Sequence, residues 1–186
     1  MSRPSRIALL GVSGSGKTTL AREIAGRLGC EHIELDAIHH LADWTPIDRD
    51  EMRRIVSDRT AADRWVVDGN YSRMVADIVM ARADTVVLLD LPRRVVMWRI
   101  VARSLRRLAR REELWNGNRE RLRYLFKLRP EENIILWAWT THGQRRESFD
   151  AAGADPANAH ITWVRITSDR ERAAWVDRVA PVRGQG

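Results

Sequence analysis

Ile7-Ala8-Leu9-Leu10-Gly11-Val12-Ser13-Gly14-Ser15-Gly16-Lys17-Thr18-Thr19-Leu20 is the stretch that decides how this chain is read. A short apolar run feeds G-x-x-x-x-G-K-[ST], matched at every specified position, and Leu20 to Leu28 continue with helical spacing. Strand, glycine-rich loop and helix thus follow in the order that phosphate binding requires. The glycines let backbone N–H groups turn towards phosphate oxygens, Lys17 reaches the β- and γ-phosphates, and the Thr18 hydroxyl can ligate Mg²⁺. A helix starting under the loop adds its dipole and orphan N–H groups, which favour negative charge. Gly11, Ser13, Gly14, Ser15, Gly16, Lys17, Thr18 and Thr19 are therefore the nucleotide-binding candidates, with ATP and Mg²⁺ as the implied ligands. The motif reads phosphates rather than a base, so GTP stays an alternative to ATP.

Working outward, further β-branched apolar runs stand at His32–Leu35, Trp65–Val67, Thr85–Leu89 and Ile161–Ile166, separated by segments long enough for helices. Five strands alternating with helices predict an α/β fold on a parallel sheet. Arg93 to Arg110 reads as a helix with Met97, Val101, Leu105 and Leu108 on a packing face. Arg99, Arg103, Arg107 and Arg110 then lie nearly opposite, available to an anion. Arg111–Pro130, with Asn116-Gly117-Asn118 and no clear periodicity, reads as a mobile insertion or lid. A helix from Glu131 to about Phe149 and a loop at Gly153–Asn158 lead to the last strand.

In an open parallel sheet, ligands collect beyond the carboxyl ends of the strands, and Asp36, Asp68 and Asp90 fall there. Asp68, closing Trp65-Val-Val-Asp68, can hold Mg²⁺ directly or through water, or act as a base. Asp90, before Leu91-Pro92, is a second metal candidate or a cap for the arginine helix. Asp36, before Ala37-Ile38-His39-His40, is a candidate for binding or deprotonating an acceptor, or a helix or turn cap. Thr167 and Ser168 read as a cap for the last helix.

The chain of 186 residues is the size of one domain. Its single cysteine, Cys30, cannot close an intrachain disulfide, which fits a reducing cytoplasm. No apolar run approaches the roughly 18 residues of a membrane span, and the basic start leads into no signal-peptide core. The formal charge is +7, and all but two of the 32 basic residues are arginine. Arg93 to Arg129 alone holds 13 basic and three acidic residues, a local +10. Concentrated guanidinium suits phosphate, either on a small ligand or along a nucleic acid.

The ordered motifs Gly11–Thr19, His32-Ile-Glu-Leu-Asp36, Trp65-Val-Val-Asp-Gly-Asn-Tyr71 and Thr85-Val-Val-Leu-Leu-Asp-Leu-Pro92 resemble the small bacterial DNA topology modulation proteins, a group similar to adenylate kinase and other nucleoside and nucleotide kinases. The resemblance implies a P-loop three-layer sandwich, a sheet in the order 2-3-1-4-5, ATP on the first loop and an arginine-bearing lid at about 109–130. It also implies that Asp68 supports Mg²⁺ through water, that Arg99 and Arg103 meet phosphates, and that the loop Thr167-Ser168-Asp169 lies where related kinases contact the adenine. After the second strand and after Asp68-Gly69 the residues depart from adenylate kinase, which leaves the acceptor open between a nucleotide and another small alcohol. The catalytic candidates are then Lys17, Asp36, Asp68, Arg99 and Arg103, the metal candidates Thr18, Asp68 and Asp90, and the expected reaction is phosphoryl transfer from ATP. The alternatives are a nucleotide-controlled nucleic-acid-binding protein and a non-catalytic nucleotide sensor.

Overall fold

The computed structural model describes residues 4–70, 72–110, 115–118, 143 and 146–181. Most of the expected lid, the first part of the expected helix from Glu131, and the side chains of Leu108 and Arg110 lie outside the described residues. Five strands, β1 (Arg6–Gly11), β2 (Glu31–Glu34), β3 (Trp65–Asp68), β4 (Thr85–Leu89) and β5 (Thr162–Ile166), form one sheet in the order β2-β3-β1-β4-β5. Every pairing is parallel. β3 and β4 are buried at every position, which is why Trp-Val-Val-Asp and Thr-Val-Val-Leu-Leu read as unbroken runs without alternation.

Alternate residues divide the core. Ile7, Leu9, Val66, Val87 and Leu89 face helices α1 (Lys17–Leu28) and α7 (Asp169–Val179). Ala8, Ile33, Val67, Val86 and Leu88 face α3 (Arg49–Arg59), α4 (Ser72–Arg82) and a helical segment at 146–154, here α6. β1 is central, with β3 on one side and β4 on the other, so the crevice beyond its carboxyl end is a topological switch point. The glycine-rich loop occupies that crevice.

Two boundaries and one packing face differ from the sequence reading. β2 ends at Glu34, and Leu35 opens the one-turn helix α2 (Leu35–His39), which moves Asp36 from a strand end to a helix's first turn. Helix α6 continues through 154, past Gly153, which packs on Trp163. In α5 (Arg93–Arg110) the buried side chains among those described are Val96, Ile100 and Ser104. Val101 and Leu105 are 41% and 59% exposed, so the expected packing face is corrected. The helix offers two apolar rows, and the row flanked by Arg99 and Arg103 is the one turned to the loop.

Arg53 of α3 clamps α4 by Nη1–Oδ1 and Nη2–Oδ2 bonds to Asp77 at 2.8 and 2.6 Å. Hydrogen bonding by this guanidinium lowers the Asp77 carboxyl from 3.8 to about 2. A depressed carboxyl stabilises the fold above its unfolded value, and the contribution fades as pH falls through the folded one. The small melting-temperature deficit of Asp77→Asn should therefore be constant above about pH 5, shrink between about pH 4 and 2, and vanish below about pH 2. A thermal-denaturation series in pH checks this; a deficit undiminished at pH 2 would contradict it.

Candidate active site

The loop between β1 and α1 is a cradle of backbone donors. Gly11, Gly14 and Gly16 have φ of 146, 79 and 96°, a region that side chains disfavour. A Cβ on Gly14 would stand 2.6 Å from Ile100 Cγ1, so the loop lies directly on α5. Gly16 caps α1 without a side-chain hydrogen bond, and no acid occupies the first turn, which leaves the helix N-terminus suited to an anion. Lys17 Nζ donates to the Val12 carbonyl at 3.2 Å, folded back over the loop. Thr18 follows, half-buried. Asn70, two residues past β3, secures the loop: Nδ2 donates to the Gly11 carbonyl at 2.6 Å, and the Gly11 N–H donates to Oδ1 at 3.4 Å. From the sequence, Asn70 has no role in the loop; it counts within the motif Trp65–Tyr71 that carries the resemblance and as a departure from adenylate kinase.

Asp68 ends β3 on the sheet face that α1 covers, because it shares the parity of Val66. It is 1% exposed. Its Oδ2 lies 3.3 Å from His32 Nε2, and its buried Oδ1 has no hydrogen-bond partner. The Ser15 hydroxyl is likewise buried without a partner. An orphaned carboxylate oxygen near an open helix N-terminus fits a magnesium nucleotide, which would supply the missing partners. Asp90 behaves differently. Arg146 donates to it from Nε at 2.8 Å and from Nη2 at 3.0 Å, engaging both oxygens. Nor does it cap α5; the Pro92 carbonyl opens that helix by accepting from Val95 and Val96.

Arg103 Nη2 donates to Ser13 Oγ at 2.9 Å, and Arg99 Nη1 lies 3.8 Å from where a Gly16 Cβ would be. These two guanidiniums of α5 therefore reach the loop, whereas Arg107 is half-buried further along. Arg99 Nη2 also donates to Asp169 at 2.6 Å, a partner that sequence reasoning missed. Ser168 caps α7 as expected, accepting from the Glu171 N–H, and Glu171 in turn accepts from the Thr167 N–H at 2.7 Å.

Asp36 faces a second cluster. Burial lowers the pKa of His39 and His40, against the opposing Asp36 charge. The His40 ring stacks on Trp115 at 5.8 Å and meets Trp44 edge-on at 5.2 Å. Residues 115–118, the described part of the expected lid, are thus docked on the segment after β2. Asn118 is the joint: its Oδ1 accepts from the Trp44 N–H at 2.8 Å, and its Nδ2 donates to the Leu41 carbonyl at 2.8 Å. Asp43, Trp44 and Asn116, the non-glycine residues with positive φ among those described, all sit here. Asn118→Ala would remove the partners of partly buried backbone groups at Leu41 and Trp44 and should cost about 0.5–1.5 kcal/mol, read from the midpoint of denaturant unfolding. An unchanged midpoint would dissociate this joint from the folded core.

With this geometry established, comparison with known proteins places the chain. The family model described as "AAA domain" matches residues 7–180. The chain belongs to the AAA domain family. This AAA domain protein is similar to a protein of Thermococcus onnurineus named "Putative adenylate kinase", with 30% identity over 105 residues, covering 53% of this chain and 55% of that one. A protein of the same name from Pyrococcus furiosus is 33% identical over 82 residues, covering 40% and 46%. The chain spans about half the length of these curated relatives. Among solved structures, a shikimate kinase from Bacteroides thetaiotaomicron has a TM-score of 0.55 at 17% identity, covering 95% of this chain and 96% of its own. A gluconokinase from Sinorhizobium meliloti has 0.51 at 20%, covering 97% and 95%. These likenesses show that the AAA domain here has the P-loop kinase fold.

Proposed function

We propose that this protein transfers the γ-phosphoryl group of ATP to a small acceptor, with Mg²⁺. The observation that carries the reading is convergence on one loop: positive-φ glycines, an open α1 N-terminus, Lys17, and the guanidiniums of Arg99 and Arg103. Lys17 would leave the Val12 carbonyl for the β- and γ-phosphates. Thr18 and Asp68 would hold Mg²⁺, which when bound neutralises charge on the β- and γ-oxygens. Arg99 and Arg103 would stabilise the equatorial oxygens as the bond to ADP breaks and the bond to the acceptor oxygen forms. The acceptor proton passes to a carboxylate, for which Asp36 is the candidate. We leave Asp90 out of the metal set because Arg146 engages both its oxygens. The kinase names carried by relatives and structural neighbours support this reading.

The alternative reading, a nucleotide-controlled nucleic-acid-binding protein, would place a nucleic-acid contact on the arginine-rich α5. Arg99 and Arg103, however, turn to the loop and to Asp169, which leaves a smaller basic face than the sequence suggested. We further propose one kinase-like unit with a lid at about 109–130, acting in the cytoplasm. ADP release from Mg·ATP, followed across pools of nucleosides, nucleoside monophosphates and sugar acids, tests the assignment. Release stimulated by one pool supports it. Steeply salt-dependent retention of DNA, with no stimulation by any pool, would replace it with the nucleic-acid reading.

A further inference from the structure

We propose that His32 is a positioning residue for Asp68: its Nε2–H holds Oδ2 and keeps Oδ1 directed to the magnesium nucleotide. The inference rests on the proposed nucleotide chemistry and deepens it. Asp68 is almost wholly buried, and its contact with His32 at 3.3 Å is the carboxylate's only hydrogen bond among the described residues. An ionised carboxylate only accepts, so the bond requires the proton on His32 Nε2. The parallel register sets the pair: His32 faces Val66 and Glu34 faces Asp68, so both β2 residues share the α1 side of the sheet with the carboxylate. Glu34, the other acid on that side of β2, is matched by Arg22 of α1 at 3.3 Å and leaves His32 to Asp68. Without His32, a buried carboxylate would lose its donor and its fixed rotamer together, and the ligand geometry at Oδ1 would loosen.

The test separates positioning from mere packing. His32→Leu keeps bulk and removes the donor; His32→Gln restores an N–H at similar reach. ATP affinity is measured by calorimetry with and without Mg²⁺, and the ¹⁵N shifts of the His32 imidazole are read in the metal-free wild-type protein. The expected result is an Nε2–H tautomer, a tenfold or larger loss in His32→Leu of the affinity that Mg²⁺ adds, Mg²⁺-free affinity within twofold of wild type, and recovery to within threefold in His32→Gln. An Nδ1–H tautomer, or a folded His32→Leu that keeps the full Mg²⁺ increment, would overturn it, as would a His32→Gln no better than His32→Leu. If His32→Leu fails to fold, the tautomer and the glutamine variant still decide. Failure of wild type to bind ATP would instead overturn the proposed function, with the tautomer reporting on the hydrogen bond independently.

Discussion

Lys17→Ala should lose ATP binding or turnover by about 100-fold or more while keeping the wild-type fold. Lys17 starts α1, where alanine is at least as good a helix former, so the helix itself gains no penalty. What disappears is the ammonium that reaches back over the loop to the Val12 carbonyl, the one lysine of the cradle. A charged donor aimed at developing phosphoryl charge in a partly desolvated site is commonly worth two or three orders of magnitude in rate. Calorimetric titration with Mg·ATP and ADP release measure both consequences, and circular dichroism confirms the fold. Unchanged affinity and turnover in a folded variant would remove Lys17 from the site.

Gly14→Ala should be strongly destabilising for a single added methyl. Its φ of 79° costs an alanine roughly 1–2 kcal/mol. The new Cβ would also meet Ile100 Cγ1 at 2.6 Å and the Val96 carbonyl at 3.0 Å, and backbone on a packed helix cannot yield cheaply. Overpacking of this kind adds about 1–3 kcal/mol. The sum, roughly 2–5 kcal/mol, lowers the melting temperature by about 5–15 °C in a chain of this size. Because α5 also carries Arg99 and Arg103, pushing the helix away should weaken ATP binding beyond the stability loss. A Tm within 2 °C of wild type would show that loop and helix are not in contact.

The loop and the sheet were legible because their signals are local. Gly11–Thr19 states its conformation residue by residue, and the apolar runs of β3 and β4 announce strands buried on both faces. Asp68 could be placed at a strand end, but its partner could not: His32 is 36 residues away and meets it only once the strand order puts β2 beside β3. Arg99 and Asp169 are separated by 70 residues, and Asn118 and Trp44 by 74, so no spacing rule connects them. The rotation of α5 was ambiguous for a physical reason. The row Val96, Ile100, Ser104 is less apolar than the row Met97, Val101, Leu105, yet it packs, because Val12, Leu91 and the loop lie against it. Asp90 shows the reverse limit: position alone marked it for metal, whereas Arg146, far along the chain, engages its charge.

The most direct measurement follows the phosphoryl group itself. ATP labelled with ¹⁸O on the γ-phosphate, Mg²⁺ and a mixed pool of small alcohols, nucleosides and nucleoside monophosphates are incubated with wild type and Lys17→Ala, and products are read by mass spectrometry. Phosphoryl transfer gives a new phosphate ester carrying the label with wild type and none with Lys17→Ala. Tight ATP binding with no labelled ester from any acceptor would contradict it and leave a nucleotide sensor in its place.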